Sequence, residues 1–410
     1  MDTLRRDADK IIHTAIHAVK PDAAVRRALA GREFPGRVVL VAAGKAAWQM
    51  AKTAQEVLGS RISRGVVITK YHHVMGRIGN LTCYEAGHPV PDENSFLATQ
   101  AAVELVADLE ETDTVVFLLS GGGSALFEKP LIPGEELQDI TGQLLACGAD
   151  IVQINTIRKR LSAVKGGRFA QLCAPAQVFA VVLSDILGDP LDMIASGPAC
   201  PDSSTCLEAV AIAKEYSLKL SDEAWNLLNR ETPKALSNVT TLITGSVRQL
   251  CAAAADACRN LGYDPIILSD SLCCEAKDAG AELAAQVRKY QVSGKKIALI
   301  AGGETVVKLT GTGKGGRNQE LVLSAAAGIE GLSGVCVFSV GSDGTDGPTD
   351  AAGGYVDGNT ANLLRQKGLL IADVLQNNDA YHALQKVNGL IITGPTGTNV
   401  NDVAVALVNG

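Results

Sequence analysis

The fold is decided by TVVFLLSGGG, residues 114–123, in which an uninterrupted strand-forming run leads directly into a serine and three glycines. A continuous apolar run, unlike an alternating one, predicts a strand buried on both faces, as in a parallel sheet covered by helices. Similar runs, each ending in a glycine or a polar turn, occur along the chain at RVVLVAAG (37–44), VVIT (66–69), VFAVVLSDILGD (178–189), TTLITGS (240–246), PIILSD (265–270), KIALIAGGE (296–304), GVCVFSVGSDG (334–344) and GLIITGPTG (389–397). Their repeated alternation with helical segments predicts an α/β fold.

The length of the chain indicates two domains. A chain of 410 residues exceeds one ordinary hydrophobic core. The polar segment at 219–239 carries few strand signals and separates two series of strand–helix units. VRQLCAAAADACRNLG (247–262) then follows with alanine-rich helical periodicity and stops at a glycine. We therefore place the boundary near 240 and predict domains at 1–240 and 241–410.

The composition describes a soluble globular protein. Hydrophobic residues make up 47%, charged residues 20%, and the net charge is −7. This mild negative balance gives no general attraction for nucleic acid or acidic membrane surfaces, so an anion site must be local. The charged N-terminus MDTLRRDADK has no apolar signal region, and no run approaches the length of a membrane span. We expect a cytoplasmic protein whose ten cysteines are reduced.

Polar clusters at the ends of the predicted strands are the candidate binding loops, because open α/β sheets bind ligands outside the carboxyl ends of their strands. In AAGKAA (42–47), Lys45 opens a helix, where backbone N–H groups and the helix dipole attract anions. In SGGGSALF (120–127), consecutive glycines would let backbone N–H groups approach an anion, and Ser120 and Ser124 add hydroxyl donors. A plain tight turn is the alternative for this loop.

Two further segments carry charge at such positions. LSDILGDP (183–190) places Asp185 at a strand end, where its carboxylate can orient a hydroxyl, accept a proton or bind Mg²⁺. NTIRKRLSAVKGGR (155–168) contains five cationic side chains. This basic segment is either a solvated helix face or, through Lys165 and its Lys-Gly-Gly-Arg end, a segment that closes over an anion.

The stretch GTGKGGRNQE (311–320) formally satisfies the dinucleotide pattern G-x-G-x-x-G. A dinucleotide turn also needs an acidic residue about 20 positions further on, and the first acid at a strand end here, Asp343, comes too late. Lys314 and Arg317 instead suit the oxygens of a transferring phosphoryl group. Asp343, Asp346 and Asp350 crowd the loop GSDGTDGPTDAAGG (341–354), where they favour Mg²⁺ coordination, a general base, or ordinary Asx turns.

In combination, these motifs resemble the glycerate 2-kinase family, the class II glycerate kinases, whose C-terminal region is called MOFRL. The resemblance runs from about residue 5 to 405 in the family's motif order. It is carried by AAGKAA, GHPVPD (87–92), SGGGSALF, NTIRKRLSAVKGGR, LSDILGDP, GGETVVKLTGTGKGGRNQE (302–320) and SDGTDGPTDAAGG (342–354).

The resemblance implies phosphorylation of D-glycerate to 2-phosphoglycerate, with ATP and Mg²⁺. It also implies a Rossmann-like N-terminal domain and a smaller α/β MOFRL domain, with the active site in the cleft between them. The positions that match the family's proposed catalytic residues are Lys45, Asp185, Arg317 and Asp343. Lys45 and Arg317 would take the charge of the phosphoryl group. Asp185 and Asp343 would share the roles of base and Mg²⁺ ligand, in an order that stays open.

We expect substrate and ATP contacts from Ser120, Gly121, Gly122, Gly123, Ser124, Lys165, Gly313, Lys314 and Asn318. His88, within GHPVPD, is a further candidate on the substrate side. The expected partners are D-glycerate and ATP, without nucleic acid or membrane, and a homodimer is the assembly to test. Two other functions stay open: an NAD(P)-dependent hydroxypyruvate reductase, supported by the G-x-G-x-x-G match, and a non-catalytic binding module, because a fold alone does not fix function.

Overall fold

The computed structural model describes residues 3–292 and 294–409, which divide into two compact units. The N-terminal unit is Ala24–Thr244, and the C-terminal unit consists of the described residues of Met1–Ala23 and Gly245–Gly410. The second boundary lies close to the predicted one at 240. The predicted domains differ from these units mainly in the first 23 residues, which join the C-terminal unit.

Strands and helices alternate along the chain. The strands are β1 (Val38–Ala43), β2 (Ile62–Lys70), β3 (Leu81–Ala86), β4 (Thr114–Leu119), β5 (Gln177–Leu183), β6 (Val239–Gly245), β7 (Asp264–Leu272), β8 (Lys296–Gly303), β9 (Val335–Gly341), β10 (Gly353–Asp357), β11 (Leu390–Ile391) and β12 (Asp402–Asn409). The α-helices are α1 (Thr3–Ala18), α2 (Pro21–Leu29), α3 (Ala47–Leu58), α4 (Glu93–Leu105), α5 (Gly123–Leu126), α6 (Gly134–Ala146), α7 (Ile151–Arg160), α8 (Arg168–Leu172), α9 (Cys206–Glu215), α10 (Asp222–Leu228), α11 (Val247–Asn260), α12 (Ala276–Gln291), α13 (Arg317–Gly328), α14 (Thr360–Gln366), α15 (Ile371–Gln376) and α16 (Ala380–Lys386). Short 3₁₀ helices lie at Gly59–Arg61 and Ile194–Ser196. Among the residues that the structure describes, every helix is too short or too polar to span a bilayer.

The N-terminal unit is built on a six-stranded sheet of order β3-β2-β1-β4-β5-β6. The pairs β1–β2, β1–β4, β2–β3 and β4–β5 are parallel. This is the strand order of doubly wound folds of the Rossmann type, in which ligands bind where the order reverses, here between β1 and β4. The loops that follow β1 and β4 therefore lie at the switch point of this sheet.

Both faces of this sheet are covered, as the continuous apolar runs predicted. Every residue of β1 and β4 is buried. Val39 and Val41 of β1 share one hydrophobic cluster with Ala98 of α4. The alternate residue Leu40 packs in a second cluster with Met50 of α3. Burial of each large aliphatic side chain contributes about 1.5–3 kcal/mol, so the two layers hold β1 and β4 firmly in the sheet.

The C-terminal unit contains a second six-stranded sheet, of order β11-β10-β9-β12-β8-β7. Only β7–β8 is parallel among its described pairs; β8–β12, β12–β9, β9–β10 and β10–β11 are antiparallel. The prediction of parallel sheets is therefore wrong for this unit. A continuous apolar run reports burial on both faces, which β8, β9 and β12 all show, but it does not report the direction of the neighbouring strand.

The first helix of the chain is part of the C-terminal unit. The buried face of α1, which includes Leu4 and Ile11, lies against α11 and β9. Asp7 on this helix accepts a 2.9 Å hydrogen bond from the Tyr263 hydroxyl, and the Thr398 hydroxyl donates to the Val19 carbonyl at 2.8 Å. An amphipathic helix shows in its sequence that one face is buried, but not which sheet buries it.

Candidate functional site

The loops after β1 and β4 are joined by backbone contacts at the switch point. The Lys45 amide donates to the Gly121 carbonyl at 2.9 Å, and the Ala46 amide donates to Ser120 Oγ at 3.0 Å. Gly44 has a φ of 126°, and a Cβ added there would lie 2.2 Å from Ser120 Oγ. Only glycine permits this approach. Ser120 is itself buried, so its hydroxyl holds the start of α3 next to the glycine loop.

Two glycines of the segment Ser120–Ser124, called the SGGGS loop below, bring polar side chains together. A Cβ on Gly121 would lie 2.2 Å from Asp185 Oδ2. A Cβ on Gly122 would lie 2.9 Å from the His88 ring and 3.2 Å from Lys45 Cε. The structure thus brings Asp185, His88 and Lys45 together around this pair of glycines.

The surroundings of His88 are electropositive. Burial lowers the pKa of His88, and the charges of Lys45 and Lys70 lower it further. A neutral histidine beside two ammonium groups favours an anionic ligand, although the chain as a whole carries a net charge of −7. Lys70 ends β2 and was missed from the sequence. Its signal was a cation directly after the VVIT run.

The hydroxyl of Ser124 belongs to a buried polar network. Ser124 Oγ lies 3.0 Å from Ser196 Oγ, which donates to Asn155 Oδ1 at 2.8 Å. Ala195 and Ser196 have φ angles of 52° and 59°, in the left-handed region that residues other than glycine rarely adopt. Such strain concentrates at functional sites, so the segment around 195–197 is part of the candidate site.

The basic segment 155–168 is neither a solvated face nor open to a ligand. Lys159 and Arg160 are buried, and Lys159 Nζ donates to Asp202 Oδ1 at 3.0 Å. Lys165 is fully buried too, with its Nζ donating to the carbonyls of Ser124 at 2.8 Å and Phe127 at 3.0 Å. Its ammonium therefore contacts the protein's own backbone beneath the SGGGS loop. The substrate contact expected of Lys165 has no support in this geometry.

Arg317, in the C-terminal unit, is held by two carboxylates. Its Nε and Nη2 donate to the two oxygens of Asp402 at 2.6 and 3.1 Å, and its Nη1 donates to Glu304 Oε1 at 2.7 Å. Asp343 Oδ1 and Asp402 Oδ1 would both lie within 3.4 Å of a Cβ on Gly341. Asp343 thus lies near Asp402, the ion-pair partner of Arg317. We call Arg317, Asp343, Glu304 and Asp402 the Arg317 cluster; the sequence analysis missed Glu304 and Asp402.

Strand direction explains why Asp402 was missed. Glu304, by contrast, directly follows the apolar run of β8, so its position in the sequence was a signal that was overlooked. Asp402 begins β12, which runs antiparallel to β8 and β9, and it pairs with Gly303 and Gly341 at the ends of those strands. A residue at this edge of the sheet precedes the apolar run of an antiparallel strand, whereas it follows the run of a parallel one. Burial raises the pKa of Asp402 to about 6, and Arg317 opposes this only in part, so the pair is charged at neutral pH.

The glycines of GTGKGG, residues 311–316, are packed against the turn between α15 and α16. A Cβ on Gly311 would lie 2.4 Å from Asn377 Cα, and one on Gly313 would lie 2.5 Å from Asn377 O. The Gly313 amide donates to Asn377 O at 2.8 Å, and the Lys314 amide donates to Asp379 Oδ1 at 2.9 Å. The Lys314 ammonium lies 4.6 Å from the centre of the Tyr381 ring. This loop therefore directs its amides to the protein.

The N-terminus of α13, which follows that loop, is occupied by Asp346. Its Oδ1 accepts from the Asn318 amide at 3.1 Å, and its Oδ2 accepts from the Gln319 amide at 2.9 Å. Asn318 is buried, and its Oδ1 accepts from the Ser339 hydroxyl at 2.5 Å. A dinucleotide would place its pyrophosphate at these amides. The chain's own carboxylate takes that position, so the G-x-G-x-x-G match does not mark a dinucleotide site.

No metal centre is preformed in the described part of the chain, where no three His, Cys, Asp or Glu side chains are grouped to hold an ion. Asp185 and Asp343, both predicted as Mg²⁺ ligands, belong to different units. Mg²⁺ commonly binds through one or two carboxylates together with substrate phosphates. A preformed cage is therefore not needed for it.

The molecule is a two-unit α/β protein with an anion-attracting loop. This follows from the strand order, the glycine loop at the switch point and the lysines around that loop. Residues 7–229 match a family model described as a domain of unknown function (DUF4147), and residues 297–402 match the MOFRL family. The chain is 51% identical to a D-glycerate 2-kinase of Thermotoga maritima over 99% of both chains. It is 40% identical to a glycerate 2-kinase of Pyrococcus horikoshii over 97% of this chain and 96% of that one.

A solved structure of a glycerate kinase from Thermotoga maritima superposes with a TM-score of 0.94, at 51% identity and over 99% of each chain. The chain therefore belongs to the glycerate 2-kinase family, with a MOFRL domain in its C-terminal part. This confirms the resemblance drawn from the seven motifs.

Proposed function

We propose that this protein transfers the γ-phosphoryl group of ATP to the 2-hydroxyl of D-glycerate, giving 2-phosphoglycerate and ADP. The observation that carries the proposal is the convergence of Lys45 and His88 on the SGGGS loop beside Asp185, with the charge of Lys70 acting on His88. This occurs in a chain 51% identical over nearly its whole length to a D-glycerate 2-kinase. A carboxylate substrate and a triphosphate both require this concentration of positive charge.

In the proposed reaction, the 2-hydroxyl oxygen of glycerate forms a bond to the γ-phosphorus. The bond from that phosphorus to the β–γ bridging oxygen breaks, ADP leaves, and the hydroxyl proton passes to a carboxylate, Asp185 or Asp343. Lys45, whose side chain is exposed, neutralises charge on the phosphoryl oxygens. The amides of Gly121, Gly122 and Gly123 offer further donors. Positioning and electrostatics supply most of the rate in such transfers.

Asp185 fits a Mg²⁺ ligand. Its carboxylate lies against Gly121 in space that a Cβ would fill, and carboxylate oxygens are ligands that Mg²⁺ prefers. When bound, Mg²⁺ would neutralise phosphate charge. Asp343 is the second candidate, and its Oδ1 already accepts a hydrogen bond from the Thr345 amide at 2.9 Å. The open assignment of base and metal ligand is tested with Asp185→Asn and Asp343→Asn, because loss of the ligand raises the Mg²⁺ concentration needed for half-maximal rate.

Arg317 serves the same reaction in this proposal. Its bidentate contact with the buried Asp402 fixes the plane of the guanidinium, while its contact with the more exposed Glu304 is the one that an anion can replace. We expect Arg317→Ala to reduce turnover by orders of magnitude while the protein stays folded. Near-normal turnover in that variant would remove Arg317 from the proposed machinery.

The function is tested by supplying the purified protein with D-glycerate and MgATP. Release of ADP, with a ³¹P NMR spectrum of 2-phosphoglycerate, is the expected result. A spectrum of 3-phosphoglycerate would contradict the position of transfer. Oxidation of NADH with hydroxypyruvate would support a reductase instead, and binding of both ligands without turnover would indicate a binding module.

A further inference from the structure

Three charged side chains lie buried beneath the SGGGS loop. The side chains of Glu128 and Lys165 are 0% exposed and that of Arg158 is 12% exposed. Lys165 Nζ and Arg158 Nη2 each lie 3.3 Å from Glu128 Oε2. Charges with so little access to water are screened weakly, so this group acts electrostatically on whatever lies near it.

Both cations are directed at the backbone of the loop. Lys165 Nζ donates to the Ser124 carbonyl at 2.8 Å, and Arg158 Nη2 donates to the same carbonyl at 2.9 Å. Lys165 Nζ also donates to the Phe127 carbonyl at 3.0 Å, one residue beyond the end of α5. Two charged donors on one carbonyl fix the peptide that follows Ser124, and with it the orientation of α5 and the glycines before it.

The balance of charge in this cluster is positive. Two cations face one carboxylate, so one positive charge remains in the interior beneath the loop. Without Glu128, the two cations would repel each other at close range and one would be displaced. Glu128 therefore determines both where the cations lie and how much charge they present.

We propose that Glu128 is a positioning residue that holds Lys165 and Arg158 beneath the SGGGS loop, and that these two cations help the loop bind anionic substrate without touching it. As a statement about substrate, this rests on the proposed function. It replaces the direct contact expected of Lys165 with an action through the loop, and it assigns a role to Glu128 and Arg158.

The proposal has a consequence for pH. The charged groups that face the Lys165 ammonium among the described residues are Glu128 and Arg158. Burial lowers the pKa of Lys165, Glu128 opposes this, and Arg158 lowers the pKa as well, so that the net pKa is about 8. As the pH rises through about 8, the cluster loses its net positive charge. We therefore expect kcat/KM to fall with an apparent pKa near that value.

The test is the pH profile of kcat/KM in two variants whose shifts have opposite signs. Glu128→Gln removes the group that raises the pKa of Lys165, so the alkaline limb moves to lower pH by about one unit. Arg158→Met removes a group that lowers this pKa, so the limb moves to higher pH. Glu104→Gln is the control. Glu104 lies on the exposed face of α4 and accepts a hydrogen bond from Gln100, so this variant leaves the alkaline limb of the pH profile unchanged.

A limb that stays in place in both folded variants would overturn the proposal, because a merely structural cluster changes stability and not this profile. If Glu128→Gln does not fold, the upward shift in Arg158→Met decides the matter alone. Lys165 is also followed by NMR through its ε-methylene signal, which needs no turnover. Titration at an ordinary lysine pH would overturn the inference, whereas absence of glycerate phosphorylation by the unaltered protein would overturn the proposed function.

Discussion

The SGGGS loop and the GTGKGG loop are both glycine-rich, yet their glycines have different structural roles. In the SGGGS loop, Gly121 and Gly122 leave room for the side chains of Asp185, His88 and Lys45. In the GTGKGG loop, Gly311 and Gly313 leave room for the backbone of the turn at Asn377. The first arrangement gathers a carboxylate, an imidazole and an ammonium group around one loop. The second locks two segments of one unit together.

This difference shows that a glycine cluster indicates close approach without identifying what approaches. From the sequence, we interpreted the SGGGS loop as an anion-binding loop, with a tight turn as the alternative, and the GTGKGG loop as a phosphate-binding loop. In the GTGKGG loop, the amides of Gly313 and Lys314 are already bonded to Asn377 and Asp379. Substitutions in the two loops should therefore have different effects, one on turnover and the other on stability.

The largest effect is expected from Gly121→Ala. Its Cβ would lie 2.2 Å from Asp185 Oδ2, so the carboxylate must move from its place beside the loop. A displacement of about 1 Å in such a group can cost ~100-fold in rate, or about 3 kcal/mol. We expect kcat/KM for D-glycerate to fall by that factor while the melting temperature changes little.

Gly142→Ala is the matched control for this substitution. Gly142 lies within α6, and a Cβ there meets nothing within 4 Å. Full activity in both variants would show that the position of Asp185 beside Gly121 has no part in the reaction.

The next largest effect is expected from Gly313→Ala. Its Cβ would lie 2.5 Å from Asn377 O and from Asp379 Cβ, so the turn must shift at a cost of about 1–3 kcal/mol. Urea denaturation should show this loss of unfolding free energy, with kcat per folded molecule retained. Gly315→Ala, whose Cβ would come no closer than 3.3 Å to its neighbours, should cost less. Loss of ATP affinity in a stable Gly313→Ala protein would restore the binding role predicted from the sequence.

A smaller effect is expected from Asp346→Asn. The carboxylate of Asp346 accepts hydrogen bonds from the backbone amides of Asn318 and Gln319. An asparagine keeps the shape of the side chain, but its NH₂ group would face one of these N–H donors. Replacement of a helix-capping acceptor costs about 1 kcal/mol, measurable by urea denaturation. Asp350→Asn, in the exposed part of the same loop, is the comparison variant. NADH should raise the melting temperature of neither protein, and a clear rise in the unaltered protein would reopen the dinucleotide interpretation.

The smallest effect is expected from Lys314→Met. The Lys314 ammonium lies over the Tyr381 ring, a contact worth about 0.5–1 kcal/mol when partly exposed. We expect a loss of that size in unfolding free energy, restored in Lys314→Arg, and an unchanged KM for ATP. A rise in KM for ATP of tenfold or more in Lys314→Met would instead place this lysine on the phosphates.

Much of the fold could be predicted from the sequence. The quoted apolar runs correspond to β1, β2, β4, β5, β6, β7, β8, β9 and β11, and 247–262 contains α11. The strands β3 and β10 were missed because LTCYEA and GGYVD lack a continuous aliphatic run, and β12 was missed although DVAVALVN contains one. The sequence could not predict the direction of the strands in the C-terminal unit, or that α1 belongs to that unit. Both depend on pairing between segments far apart in the chain, which no local pattern encodes.

For the candidate site, strand-end positions predicted Lys45, the SGGGS loop and Asp185, which lie together. Lys165 shows the limit of the approach, because a cation next to glycines has the same local sequence whether it faces ligand or interior. Its burial is decided by Glu128, 37 positions earlier in the chain. The acidic loop 341–354 held one member of the Arg317 cluster, Asp343, and one helix cap, Asp346, which composition alone cannot separate.

The place of β12 in its sheet constrains how the protein is made. This strand lies between β8 and β9, although it follows both in the chain. During synthesis on a ribosome, the facing edges of β8 and β9 therefore stay unpaired until residues 402–409 have left the exit tunnel. The segment 24–244 meets no such delay, because its strands are all made earlier. Nascent chains that stop short of residue 402 should keep one folded unit and expose the other to proteases.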